Sequence, residues 1–194
     1  KFTFVVLGDS KGEPVFEKVV ESAAKLQPDF YIHTGDFVDN GAKFGDYDWV
    51  NLSNTANGEF KRIPMLPVAG NHEVSGISDA LGIWRVKTYF NLPEAYYVFV
   101  VGRFKFIVVT WMLAQHVLYD TDTNDPEFEW LNAELAKNDG LERIVFCHRP
   151  IYTVGRTAEF PEELAELFDK YKVRLVFTGH DHIYYRTLRN QTQY

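Results

Sequence analysis

Residues 65–73 read MLPVAGNHE: an apolar run that stops at Gly70 and is followed at once by Asn71, His72 and Glu73. The same arrangement occurs four more times. Residues 2–7 run into Gly8-Asp9, residues 29–34 into Gly35-Asp36, residues 144–147 into His148, and residues 173–177 into Thr178-Gly179-His180, with Asp181 and His182 following. A polar residue at one strand end is ordinary. Five strand ends that carry only Asp, Asn and His, all but one beside a glycine, are not. Glycine lets the backbone turn tightly, so that the next side chain can enter a shared cavity. In open α/β sheets ligands gather beyond the carboxyl ends of the strands.

Working outward from these runs, helix-like segments fill the gaps between them. Residues 14–26 place Val15, Phe16, Val19, Val20 and Ala23 at helical spacing, with Pro14 suited to a first turn. Residues 47–61 and 80–89 read as helices. Residues 125–137 carry Phe128, Leu131 and Leu135 on one face, and 161–171 form a further helix. Residues 95–101 and 104–111, parted by Gly102-Arg103, predict a hairpin, and 183–188 a further strand. The tail, residues 189–194, carries no core signal and is expected to fray. The alternation predicts an α/β fold in one domain over 1–194. The polar, irregular stretches 39–48 and 113–125 are the expected substrate-selecting loops.

Bulk properties narrow the function. The 194 residues are 46% hydrophobic and 24% charged, enough apolar material for a core. The net charge of -7 argues against nucleic acid and against a membrane surface, both anionic, as partners. No run approaches the roughly 18 apolar residues that span a bilayer. The single cysteine, Cys147, excludes an internal disulfide framework and a cysteine-rich zinc site, and its apolar surroundings make it core filler. The chain opens at Lys1 on a strand-like run without Met, which predicts that a signal peptide or other segment was removed; cytoplasmic and exported locations both stay open. Oxygen and imidazole donors suit manganese, iron or zinc, and the lack of thiolates argues against a structural zinc.

The series Gly8-Asp9, Gly35-Asp36, Gly70-Asn71-His72-Glu73, His148 and Gly179-His180-Asp181-His182 resembles the ordered signature of calcineurin-like metallophosphoesterases, much of which purple acid phosphatases share. The resemblance spans residues 2–185. It implies a four-layer α-β-β-α sandwich of two mixed sheets, and a dinuclear centre. Asp36 would bridge two metal ions. Asn71, His148 and His180 would complete one site; Asp9 and His182 would serve the other. His72 would stand near the leaving oxygen as a proton donor or polarising group, with Glu73 as an orienter of its ring. The implied reaction is hydrolysis of a small-molecule phosphate mono- or diester, by a metal-bound hydroxide held between ions about 3.5–4 Å apart.

One departure stands out. The family commonly has Asp-x-His at the first motif, where this chain has Asp9-Ser10-Lys11, and purple acid phosphatases supply a tyrosine where this chain has Asp39. Three readings are open: water fills the gap, Asp39 or Ser10 contributes, or Lys11 supplies fixed charge in place of an ion; the first is the expectation, a weak but usable site. Lys11 and Arg149 are the candidate phosphate contacts, a point charge and a bidentate donor. The alternative function is a metal-binding scaffold or protein-recruitment module of the same fold that has lost turnover. Elsewhere the residues read as structural: His33 as a hydrogen-bonded strand histidine, Asp181 as a turn contact, His116 as solvated, and Tyr152, Tyr184 and Tyr185 as packing. The oligomeric state is open.

Overall fold

The computed structural model describes residues 1–41, 58–110, 126–154 and 162–194. The chain divides into two compact units, Lys1–Pro93 and Glu94–Tyr194. Among the described residues, no helix is long and apolar enough to cross a membrane.

In the first unit, β1 (Phe4–Leu7), β2 (Phe30–His33) and β3 (Met65–Pro67) form a parallel sheet in that order. Parallel neighbours need a crossover, and α1 (Val15–Ala24) supplies it between β1 and β2, burying Phe16, Val20 and Ala23. Two further helices follow, α2 (Glu59–Arg62) and α3 (Asp79–Phe90). Ser78 caps α3 by accepting from the Leu81 N–H, and Asn91 ends it in the left-handed region. Tyr31, Ile32, Phe37, Val38 and Val68 are fully buried. The register pairs Leu7 with His33 and His33 with Pro67. The three strands therefore stop level, and Gly8-Asp9, Gly35-Asp36 and Gly70-Asn71 all leave from one edge of the sheet.

In the second unit, β4 (Tyr97–Val101) and β5 (Phe104–Val108) are the antiparallel hairpin, turning at Gly102 with φ 60°. α4 (Pro126–Ala136) leads to β6 (Glu142–Phe146), and α5 (Glu162–Lys170) to β7 (Leu175–Phe177), both strands parallel to β5. β8 (Leu188–Arg189) and β9 (Thr192–Gln193) complete a mixed sheet in the order β4-β5-β6-β7-β9-β8. Its core gathers Ile107, Val109, Leu131, Leu135, Val145, Leu164, Phe168, Val173 and Val176, with Cys147 as filler.

Two expectations change. The strand expected over 183–188 is reduced to β8, and Ile183, Tyr184 and Tyr185 are exposed. The tail does not fray: β9 pairs with β7, Thr192 is buried, and its hydroxyl donates to the Val173 carbonyl at 2.8 Å. The reason is that β7 offers an open row of backbone groups, and the last residues satisfy them although they bring little apolar surface. Of the helix expected over 47–61, only residues 58–61 are described: Gly58 is a turn in the left-handed region, and the rest lie in α2. Residues 42–48, 113–125 and His116 lie outside the described residues.

Candidate metal centre

In the first unit the site is built from three strand-end turns. Asp9 and Asp36 follow glycines and carry φ of 53° and 58°. Residues with a Cβ adopt this left-handed region seldom, Asp among the more tolerant, and Lys11, Gln27, Asn91, Lys172 and Asn190 share it in this chain. The Asp9 N–H donates to the Gly35 carbonyl at 3.0 Å and the Lys11 N–H to the Asp36 carbonyl at 2.9 Å, so the first two turns are laced together. Asp36 is buried, and its Oδ1 accepts the His72 N–H at 2.9 Å. Asn71 and His72 are half-buried, and Glu73 is fully buried.

The His72 ring differs from expectation. Its Nδ1 meets the main-chain carbonyl of Asp39 at 2.6 Å, and its Nε2 lies 3.7 Å from Asp36 Oδ2. Glu73, expected to orient this ring, instead accepts main-chain N–H groups of Asp36, Phe37, Val38 and Gly70. A buried carboxylate needs several donors, and these four amides supply them. A backbone carbonyl as ring partner has no sequence signal. The Asp39 carboxylate is 61% exposed and 3.7 Å from His72 Nδ1. The Gly41 N–H donates to the His72 carbonyl, and Arg85 donates to the Gly41 carbonyl, which extends the support outward.

Ser10 bears on the incomplete first motif. It is buried, and its Oγ lies 3.0 Å from Nε2 of His33, itself fully buried. The hydroxyl is thus part of a pair with the strand histidine, and His33 has the structural role expected of it. Lys11 is half-buried, in the left-handed region at φ 46°.

In the second unit, the Cys147 N–H donates to the Phe177 carbonyl and the Gly179 N–H to the His148 carbonyl at 2.9 Å. That ladder brings the ends of β6 and β7 level and places His148 beside His180. The His148 side chain is fully buried, and its Nε2 lies 3.2 Å from Nδ1 of His180. His180 and His182 carry φ of 72° and 55°. His182 is exposed, and Arg149 is half-buried. Asp181 makes the turn contact expected of it through its N–H, which donates to the Gly179 carbonyl at 2.9 Å, and its carboxylate also accepts from Thr153 across the unit. Beyond this turn, Tyr152, Phe177, Ile183 and Tyr184 are among the residues lining a cavity of about 380 Å³.

In the first unit Asp9, Asp36 and Asn71 bring carboxylate and carboxamide oxygens to one sheet edge, and in the second His148 and His180 bring paired imidazoles; each group is a donor type that suits a divalent transition ion. The 3.2 Å His148–His180 separation is a hydrogen-bond distance that two imidazole ligands of one ion also adopt. The profile of the calcineurin-like phosphoesterase family matches residues 2–184.

The chain belongs to this family.

Its relatives are distant. A serine/threonine-protein phosphatase, CPPED1, of Rattus norvegicus is 26% identical over 197 residues, 90% of this chain and 61% of its own length. Purple acid phosphatase 15 of Arabidopsis thaliana is 28% identical over 66% of this chain and 26% of its own length. An uncharacterized protein of Mycobacterium tuberculosis is 26% identical over 93% of this chain, which spans 39% of that relative's length. Among solved structures, a dimetal phosphatase from Danio rerio superposes with a TM-score of 0.71 at 14% identity, over 99% of this chain and 85% of its own. A purple acid phosphatase from yellow lupin gives 0.67 at 19% identity, over 91% of this chain and 37% of its own. The α/β fold, with two sheets and flanking helices, is that of the family.

Proposed function

We propose that the protein is a metal-dependent phosphoesterase that hydrolyses a phosphate mono- or diester by attack of an activated water, with the two units acting as one domain. The observation that carries this reading is the convergence of the strand-end motifs: Gly8-Asp9, Gly35-Asp36 and Gly70-Asn71 leave level strand ends of one sheet, and His148 stands 3.2 Å from His180, in a chain whose residues 2–184 match the calcineurin-like phosphoesterase family.

In this reading Asp36, Asn71, His148 and His180 hold one ion, and Asp36, Asp9 and His182 a second, weaker one. Bound divalent ions, manganese, iron or zinc, supply Lewis acidity and neutralise phosphate charge. The chain's own side chains do the rest. Asp36, acceptor-only when ionised, brings negative charge to the centre. His72, its Nδ1 held by the Asp39 carbonyl, keeps Nε2 for the leaving oxygen. Lys11 and Arg149 contribute cationic donors to the phosphate. Expected outcomes are hydrolysis of a chromogenic aryl phosphate with added Mn²⁺, and loss of at least about 100-fold in rate for Asn71→Ala. Absence of turnover on every mono- and diester tried, with several metals, would overturn the reading.

One observation favours a second reading, a metal-binding scaffold without turnover. The first motif lacks its usual histidine, and Ser10, a possible substitute, is already engaged with His33. Elemental analysis and an activity screen on one sample separate the two: a single tight ion with no turnover is the scaffold.

A further inference from the structure

We propose that Glu73 is the positioning residue that sets Asp36 for metal binding, by clamping two strand-end turns through their main-chain amides; the inference rests on the metal role proposed for Asp36. Glu73 is fully buried. Its Oε2 accepts the N–H of Asp36 at 2.9 Å and of Gly70 at 2.6 Å. Its Oε1 accepts the N–H of Phe37 at 2.8 Å and of Val38 at 3.3 Å. One side chain thus closes the turn after β2 against the turn after β3. An ionised carboxylate is suited to four donors because it is acceptor-only and offers about four lone-pair sites.

The clamp acts on Asp36 twice. The bond from its N–H helps to hold the residue at φ 58°, a conformation that a residue with a Cβ keeps only when its surroundings over-determine it. The His72 N–H, one residue before Glu73, fixes the other end by donating to Asp36 Oδ1 at 2.9 Å. The fit is close: a Cβ added at Gly70 would stand 2.3 Å from Asp36 Oδ1, 2.6 Å from Asp36 N and 3.0 Å from Glu73 Oε2. A glutamine at 73 would keep the shape but turn an NH₂ group toward main-chain N–H donors. An aspartate would keep the charge but, one methylene shorter, would reach only one of the two turns well.

The test compares wild type, Glu73→Gln and Glu73→Asp. Each is stripped of metal, melted, and titrated with Mn²⁺ by calorimetry, and the bound Mn²⁺ is examined by electron paramagnetic resonance. The expected result is Mn²⁺ affinity lowered about 10–100-fold in Glu73→Gln, with a changed spectrum, and an intermediate loss in Glu73→Asp. A variant with a lower melting temperature but wild-type Mn²⁺ affinity and spectrum would overturn the inference, since Glu73 would then serve the fold alone. Variants unfolded both with and without Mn²⁺ would overturn it for the same reason. A wild type that binds no Mn²⁺ would instead remove the metal role of Asp36, and the positioning role would fall with it.

Discussion

Glycine 70 shows how closely the turns at the site are packed. With a Cβ only 2.3 Å from Asp36 Oδ1 and 2.6 Å from its backbone nitrogen, Gly70→Ala must displace the turn, because backbone cannot yield as a long side chain can. We expect a loss of about 1–3 kcal/mol in urea unfolding; an unchanged midpoint would show that the turn has slack. Cys147 gives a second prediction at this scale. Its burial, helped by the negative charge of Glu127, pushes the thiol up to about 12. The thiolate is the reactive form, so iodoacetamide at pH 8 should leave the folded protein unlabelled and label it in denaturant, as read by mass spectrometry. Rapid labelling of the native protein would contradict the burial. Residue identity alone marked Asp9, Asp36, Asn71, His148, His180 and His182 as a set. It could not mark the Asp39 carbonyl as the partner of His72, because every residue has a carbonyl and only the folded path decides which one faces a ring.

Among the elements, α4 illustrates what an apolar face contributes. Leu131 and Leu135 project from it into the core and are fully buried. Leu131→Ala should destabilise by about 2–5 kcal/mol, the range for a cavity left in a packed interior, measured by chemical denaturation. The charged end of β5 sets a pH dependence. Lys105, 4% exposed, donates to Asp139 just after α4, with Glu134 at 3.6 Å. The Lys105 hydrogen bond, foremost, outweighs the opposing effect of burial and, with the Leu141 N–H and the charges of Lys105 and Arg143, holds the Asp139 carboxyl below its ordinary value of 3.8. A depressed carboxyl stabilises the fold above its unfolded value, and that contribution is lost as pH falls through the lower folded value. Stability should therefore fall below about pH 4, and the fall should be shallower in Asp139→Asn; identical acid limbs would exclude the coupling. Helix and strand positions were legible because their apolar spacing is local: α1, α3, α4, α5 and the β4–β5 hairpin lie within a few residues of expectation. β9 was not legible, because Thr192 and Gln193 gain their place from the open edge of β7 rather than from any pattern of their own.

At the scale of the whole molecule, metal held by the proposed ligand set should stabilise the fold. A ligand that binds only the folded state, at a hundredfold excess over its Kd, adds about 2.7 kcal/mol. We expect Mn²⁺ at that level to raise the melting temperature, and the gain to vanish in an Asp36→Ala, His180→Ala double variant. A gain retained by that variant would place the ion elsewhere. The sequence by itself determined the α/β class, the ordered strand-end motifs and hence the family, since each depends on spacing along the chain and on residue type. Only the tertiary structure decided that Glu73 clamps amides rather than an imidazole, that Ser10 is committed to His33, that Asp and His take left-handed backbone at the turns, and that the tail pairs as a strand. These follow from which buried donors and acceptors come within about 3 Å of each other, and that distance is fixed by the packing of segments far apart in sequence.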